Sequence, residues 1–204
     1  MSVLIIDYGM GNLGSVRRAF EECGADVFIS EDPGECRHAS HLVLPGVGAF
    51  PDGMEALTRG GWLPALKQAT AEEKLPLLGI CLGMQLLADH GTEGGARAGL
   101  GLIPGTVLRL VPDSPQTRIP HVGWNEVHHD GSNPLLAGIP DRADFYFVHS
   151  YHFVPGTADA TIATTPYCGS FVSVVGHGSV FGTQFHPEKS SRFGFQLIRN
   201  FLAL

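Results

Sequence analysis

The sequence predicts an α/β fold: a central, mostly parallel sheet flanked by helices, with antiparallel strand additions in the C-terminal half. Three observations carry that prediction. Apolar runs alternate with helix-period segments through the first 90 residues, as chains with parallel sheets do. From about residue 100 the pattern changes to short strand-like runs divided by Gly, Pro and Asp. The length of 204 residues, set against a soft ~150 per domain, suits one domain spanning 1–204.

VLIID (3–7) reads as a buried strand, and LGSVRRAFEECG (13–24) as a helix with Val16, Ala19, Phe20 and Cys23 on one stripe, closed by Gly24. DVFIS (26–30) and HLVLPG (41–46) are the next strands. MEALTRGGWLPALKQAT (54–70) is helical in two pieces, broken around Gly60 and Gly61. LPLLGI (75–80) is a continuous apolar strand, and LGMQLLADHG (82–91) a helix ended by Gly91. TVLRLV (106–111), HVGWNEVHH (121–129), DFYFVHSYHFV (144–154), ATIATT (160–165), FVSVVGHG (171–178) and SVFGTQFH (179–186) are the expected antiparallel additions. SRFGFQLIRNFLAL (191–204) is a closing helix with Phe193, Leu197, Phe201 and Leu204 on one face.

Composition excludes several classes. Apolar residues are 44% and charged ones 16%, which is not the balance of a disordered chain. Thirteen basic against twenty acidic side chains give a net charge of −7, so no nucleic-acid partner is expected. No apolar run reaches the ~18 residues of a membrane span, and Asp7 interrupts the N-terminal VLII before it could serve as a signal segment. The cysteines at 23, 36, 81 and 168 form no CxxC pair, so neither a zinc site nor a thioredoxin motif is expected. Free thiols in a reducing cytoplasm are the expectation.

Two glycine motifs point to different chemistries. Gly9-Met10-Gly11-Asn12-Leu13-Gly14 satisfies G-x-G-x-x-G between a strand and a helix, with Glu31 and Asp32 near the ribose-binding offset. With 27 glycines in the chain the pattern also arises by chance, and a tight turn explains it equally. Gly79-Ile80-Cys81-Leu82-Gly83 is more specific: it is the thiol counterpart of a nucleophile elbow. The sharp turn leaves no room for a Cβ at 79 and 83, the helix start favours a thiolate, and Leu82 N–H points where an oxyanion develops.

A cysteine nucleophile needs a base and a group to orient it. His186-Pro187-Glu188 supplies both: Pro187 holds His186 extended, and residues two apart then share a face. The alternative for any one of the ten histidines is a structural role; His121, His128, His129, His149, His152 and His177 remain spare candidates by chemistry alone, with no adjacent Pro-Glu to recommend them.

Cys81 followed by His186-Pro187-Glu188 on an α/β chain resembles the class I (triad) glutamine amidotransferases. The likeness covers the whole chain, through IDYGMGNLGSV (6–16), LPGVGAF (44–50), GICLGMQLL (79–87), GLGLIPG (99–105), PHVGWNEV (120–127), YFVHSY (146–151) and GTQFHPEKS (182–190). GMGN, PGVG and PHVGWN narrow it to the glutaminase subunits that serve histidine biosynthesis. Gly14 departs from the pattern, where relatives more often carry a larger polar residue, so the resemblance implies that the dinucleotide motif is accidental.

The resemblance implies that Cys81 attacks the side-chain amide of L-glutamine, His186 shuttles protons and Glu188 orients His186. Leu82 N–H, and Val47 N–H after a peptide turn that the flanking Gly46 and Gly48 make feasible, would form the oxyanion hole. Gln85, Gly48, Ser150 and Tyr151 would surround the glutamine, with strand packing the alternative for Tyr151. No metal and no cofactor are implied. The ammonia would pass to a (β/α)8-barrel cyclase subunit in a heterodimer, to make imidazole glycerol phosphate and aminoimidazole carboxamide ribotide. Asn12, Trp124 and Lys189 fall in motifs at that interface; the alternatives are a helix cap, a core tryptophan and a solvated charge. Three rivals stay open: a glutaminase subunit of an anthranilate or aminodeoxychorismate synthase, a nucleotide-binding module using GMGNLG, and a free-standing cysteine hydrolase of γ-glutamyl compounds.

Overall fold

A computed structural model describes residues 1–204. In chain order the strands are β1 (Ser2–Ile6), β2 (Asp26–Ser30), β3 (His41–Leu44), β4 (Leu77–Ile80), β5 (His90–Gly91), β6 (Arg97–Ala98), β7 (Gly105–Arg109), β8 (His121–Val127), β9 (Ala143–His149), β10 (Tyr151–Pro155), β11 (Thr161–Thr165), β12 (Phe171–His177) and β13 (Val180–Thr183). The helices are α1 (Leu13–Glu22), α2 (Phe50–Arg59), α3 (Trp62–Ala71), α4 (Leu82–Leu86) and α5 (Ser191–Leu202).

The main sheet has the order β11-β12-β13-β4-β3-β1-β2, with β13 through β2 parallel and β11 and β12 added antiparallel. Both its faces are buried, and alternate residues of one strand divide between two cores. Val3 and Ile5 pack with Phe20 of α1 and Phe201 of α5, whereas Leu4 and Ile6 pack with Leu57, Trp62 and Leu82 of α2, α3 and α4. This two-sided burial is why the strands read as unbroken apolar runs. Gly24, at φ +89, follows the end of α1, and Gly61, at φ +73, separates α2 from α3.

The second half differs from expectation in its connections. Only β11 and β12 extend the main sheet antiparallel, while β13 lies parallel to β4. β8 and β9 form a separate two-stranded ribbon, and β10 joins β7, β5 and β6 in a four-stranded sheet. The run 144–154 breaks at Ser150, whose carbonyl is taken by Leu110 N–H at 2.9 Å, so its two halves enter different sheets. Helix α4 ends at Leu86, not at Gly91, because Asp89 N–H is drawn to Gly105 O (3.0 Å) and starts the pairing with β7. Strand β4 begins at Leu77, after Leu75 has closed a turn onto Ala69 O. At the C-terminus Leu197 and Phe201 are buried as expected, but Leu204 lies beyond α5 and is exposed. No helix is long and apolar enough to cross a membrane.

Candidate active site

The elbow is built by steric exclusion. A Cβ at Gly83 would overlap the Leu44 carbonyl oxygen of β3, and one at Gly79 would stand 2.7 Å from Gly83 O. With both absent, β4 turns into α4 through Cys81 at φ 54, ψ −109, a conformation that costs a non-glycine residue about 1–3 kcal/mol. Two bonds hold it there: Cys81 N–H to Thr183 O of β13 at 2.8 Å, and Gln85 N–H to Cys81 O at 3.2 Å. All four cysteines are free.

His186 follows β13, the strand beside β4, and so emerges next to the elbow. Its backbone N–H is bound by Tyr146 O at 3.0 Å, and its carbonyl accepts Ser190 Oγ–H at 2.6 Å. Glu188 reaches the imidazole differently from the expected alternation along an extended strand. Pro187–Lys189 form a 3-10 turn that folds the carboxylate back, placing Glu188 Oε1 2.8 Å from His186 Nδ1. Both side chains are almost wholly buried. Since a carboxylate only accepts, Nδ1 carries a proton, which leaves Nε2, buried and without a hydrogen-bond partner, toward Cys81. Burial pushes this imidazole down, but the Cys81 sulfur and the Glu188 carboxylate outweigh it and bring its pKa up to about 9.

Cys81 and His186 open into one pocket of about 290 Å³ that Val47, Gly48, Leu82, Gln85, Ser150 and Tyr151 also line. Every residue expected around glutamine is therefore present. Gln85 gives its amide hydrogens to Tyr151 O (2.9 Å) and Gln184 Oε1 (3.1 Å), leaving its carbonyl oxygen to accept. Tyr151 thus contributes a backbone carbonyl as well as strand packing. Val47 N–H is engaged by Met10 O at 3.3 Å, so this donor is turned onto the 9–12 loop. Gly48, at φ +117, lets the loop after β3 run where a Cβ would meet Met10 Cε at 2.7 Å.

Sequence reasoning misses Glu93, which lines the pocket with one oxygen accepting Phe50 N–H at 2.8 Å. Its signal is weak, because an acid inside GTEGG reads only as part of a turn. His149, only a spare candidate among the histidines in the sequence, lies on the pocket wall and is hydrogen-bonded to Tyr151 O at 2.8 Å.

The three residues assigned to an interface are all exposed. Trp124, 54% exposed, is not a core residue. It pairs across the ribbon with Tyr146, over whose ring Lys189 Nζ sits at 5.9 Å. Val122 and Val148, also exposed and paired, extend that apolar face to the pocket mouth, where Val47 is 45% exposed. Asn12 caps α1 through Ser15 N–H at 3.4 Å, which takes up an amide that a phosphate would need at that helix start.

The class-I glutamine amidotransferase family model matches residues 4–204. The chain belongs to that family. Among similar proteins is the imidazole glycerol phosphate synthase subunit HisH of Chromobacterium violaceum, 48% identical over 210 residues that cover 100% of this chain and 98% of the relative. The HisH subunit of Moorella thermoacetica is 48% identical over 199 residues, covering 98% of this chain and 93% of its own. In fold, the chain is similar to the structure of PurLQS from Thermotoga maritima, with a TM-score of 0.79 at 19% identity over 99% of this chain and 97% of that one.

The site's titration predicts a stability maximum. The ordinary histidine value is about 6.5. His186, raised to about 9, stabilises the fold fully below pH 6.5, and that contribution is lost as pH rises through about 9. His121 and His149, held by burial at about 4 and about 3, act oppositely: below pH 6.5 the unfolded chain takes up protons that the folded one refuses. Thermal scans across pH should peak near 6.5, with Glu188→Gln flattening the alkaline limb and His121→Phe the acidic one. A melting temperature that climbs from pH 6.5 to 9 would contradict these assignments.

Proposed function

We propose that this enzyme is the glutaminase subunit of an imidazole glycerol phosphate synthase, hydrolysing L-glutamine with a Cys81-His186-Glu188 triad and passing ammonia to a (β/α)8-barrel cyclase subunit. The observation that carries the mechanism is the buried His186–Glu188 pair opening onto the Cys81 elbow in one pocket. Cys81 sulfur attacks the side-chain amide carbon while His186 moves a proton to the leaving ammonia. Water, deprotonated by the same imidazole, then releases glutamate from the thioester. Glu188 fixes the tautomer and stabilises the imidazolium. Gln85 Oε1 faces the pocket as an acceptor, and the second Glu93 oxygen suits the substrate's ammonium.

The oxyanion hole has one donor in place, Leu82 N–H at the start of α4, where first-turn amides have no intrahelical acceptor. The other, Val47 N–H, must leave Met10 O and turn inward. A missing oxyanion donor costs ~10²–10³ in turnover, so the resting chain is nearly idle. The partner docks on the apolar face formed by Val47, Val122, Trp124 and Val148, which reaches the pocket through Val47 and Val148 and would keep ammonia from bulk water. Histidine biosynthesis is favoured over another acceptor because the 48%-identical full-length relatives carry that name.

In the assembled synthase, His186→Ala should lower glutamine hydrolysis by about 10³–10⁴-fold, and Glu188→Gln by only about 10²-fold because an amide still holds the ring. Steady-state glutamate release measures both. Equal losses would contradict the role given to Glu188.

A further inference from the structure

A chain of hydrogen bonds that the mechanism leaves unused ends on the Cys81 sulfur. Its fixed point is the Tyr151 backbone carbonyl, which can only accept. Gln85 Nε2 donates to it at 2.9 Å, and this orients the Gln85 amide. The second hydrogen on that nitrogen goes to Gln184 Oε1 at 3.1 Å. Gln184 must then turn its own Nε2 the other way, where it meets Cys81 Sγ at 3.8 Å. The Gln184 side chain is completely buried, so no water competes for that amide.

The carbonyl is held from its other side as well. His149 Nδ1, 2.8 Å from Tyr151 O, must be the donor, which makes His149 Nε2 an acceptor. His121 Nδ1 donates into it at 3.1 Å, and His121 Nε2 accepts from Asn125 Nδ2 at 3.2 Å. Burial keeps both imidazoles neutral, as this alternation of donor and acceptor requires. The His121 ring is stacked on Tyr167 at 4.0 Å and on Phe147 at 4.9 Å.

We propose that Gln184 is a further catalytic residue of the glutaminase reaction, its side-chain N–H holding the Cys81 sulfur as a hydrogen-bond acceptor, and that His149 and His121 are positioning residues that fix the Tyr151 carbonyl from which the bond takes its direction. The sulfur lies between two groups with opposite preferences. Val148 O, at 3.8 Å, suits the thiol proton, whereas the Gln184 amide suits the thiolate. A donor aimed at the sulfur therefore holds it in one orientation and meets the charge of its nucleophilic form.

This inference rests on Cys81 being the nucleophile, and its test separates the two claims. Carbamidomethylation by iodoacetamide at pH 7 is followed cysteine by cysteine, with Cys23, Cys36 and Cys168 as internal references. Gln184→Met should slow labelling of Cys81 about tenfold, the scale of one hydrogen bond to a charged group, and lower kcat similarly with little change in KM. The three reference rates should not move. His149→Leu should act in the same direction, and His149→Asn, whose amide nitrogen takes the place of Nδ1, should restore most of the rate. Equal Cys81 labelling in wild type and Gln184→Met overturns the inference. Should Gln184→Met not fold, equal labelling in the two His149 variants overturns it instead. A wild-type Cys81 that reacts no faster than Cys168 overturns the nucleophile assignment, and the role of Gln184 falls with it.

Discussion

Cys81→Ala is expected to remove glutamine hydrolysis by at least ~10⁴-fold, because in the proposed mechanism every later step depends on the thioester that this sulfur forms. The substitution removes one buried atom, which costs the Gln184 amide its acceptor but leaves the backbone of the elbow intact. Alanine retains a Cβ, so the φ of 54° and its strain persist unchanged. The backbone bonds to Thr183 and Gln85 also remain. Melting temperature should move by no more than a few degrees, and binding to the cyclase subunit should be undiminished, since the sulfur lies beneath the pocket rather than on the apolar face. Glutamate release, calorimetry and gel filtration on one preparation check the three parts. Retention of a tenth of the activity would remove Cys81 from the chemistry.

Gly83→Ala is expected to have the largest effect on stability. Its Cβ would occupy the position of the Leu44 carbonyl oxygen, and Leu44 belongs to β3 in the middle of the main sheet. Backbone cannot swing aside as a long side chain can. Relief requires α4 to move away from β3, and with it the Cys81 elbow. A cost of about 4 kcal/mol or more places the change among the exceptional ones, and at roughly 2–4 °C per kcal/mol for a chain of this size it lowers the melting temperature by about 8–16 °C. Gly14→Ala is the control: nothing lies near its added Cβ, and the residue is helical in α1, so stability should be unchanged or slightly higher. A Gly83→Ala protein that melts with the wild type would refute the steric account of the elbow.

Gly83 and Gly14 also mark the boundary between what the amino-acid sequence makes legible and what it leaves hidden. The strand-Cys-helix elbow is legible because close packing at 79 and 83 leaves a local signature, glycine two positions to either side of Cys81. The parallel half of the sheet is legible because burial on both faces makes β1, β3 and β4 continuous apolar runs. The G-x-G-x-x-G match is equally visible and uninformative, for Gly14 occupies open space and Asn12 uses the helix start for its own cap. The partition of β7 to β10 among smaller sheets is not legible. Alternation along 144–154 looks the same whether or not the chain changes sheets at Ser150, and only long-range pairing, β10 with β7 and Ser150 O with Leu110 N–H, decides it. Glu93 and Gln184 escape, and His149 is not singled out, for the same reason. Their partners Phe50, Gln85 and His121 lie 43, 99 and 28 positions away, and no local spacing encodes such pairs.

The engaged state of Val47 N–H is the feature on which the proposed function turns, because it makes activity conditional on a second chain. The direct test is glutamate release from glutamine by this chain alone, by its mixture with the cyclase subunit of histidine biosynthesis, and by that mixture with the cyclase's nucleotide ligand. Recovering one oxyanion donor predicts a rise of ~10²–10³-fold in the complete mixture, with the chain alone nearly inactive. Full activity without the cyclase, unchanged when cyclase and ligand are added, would contradict a partner-gated glutaminase and leave a free-standing hydrolase in its place.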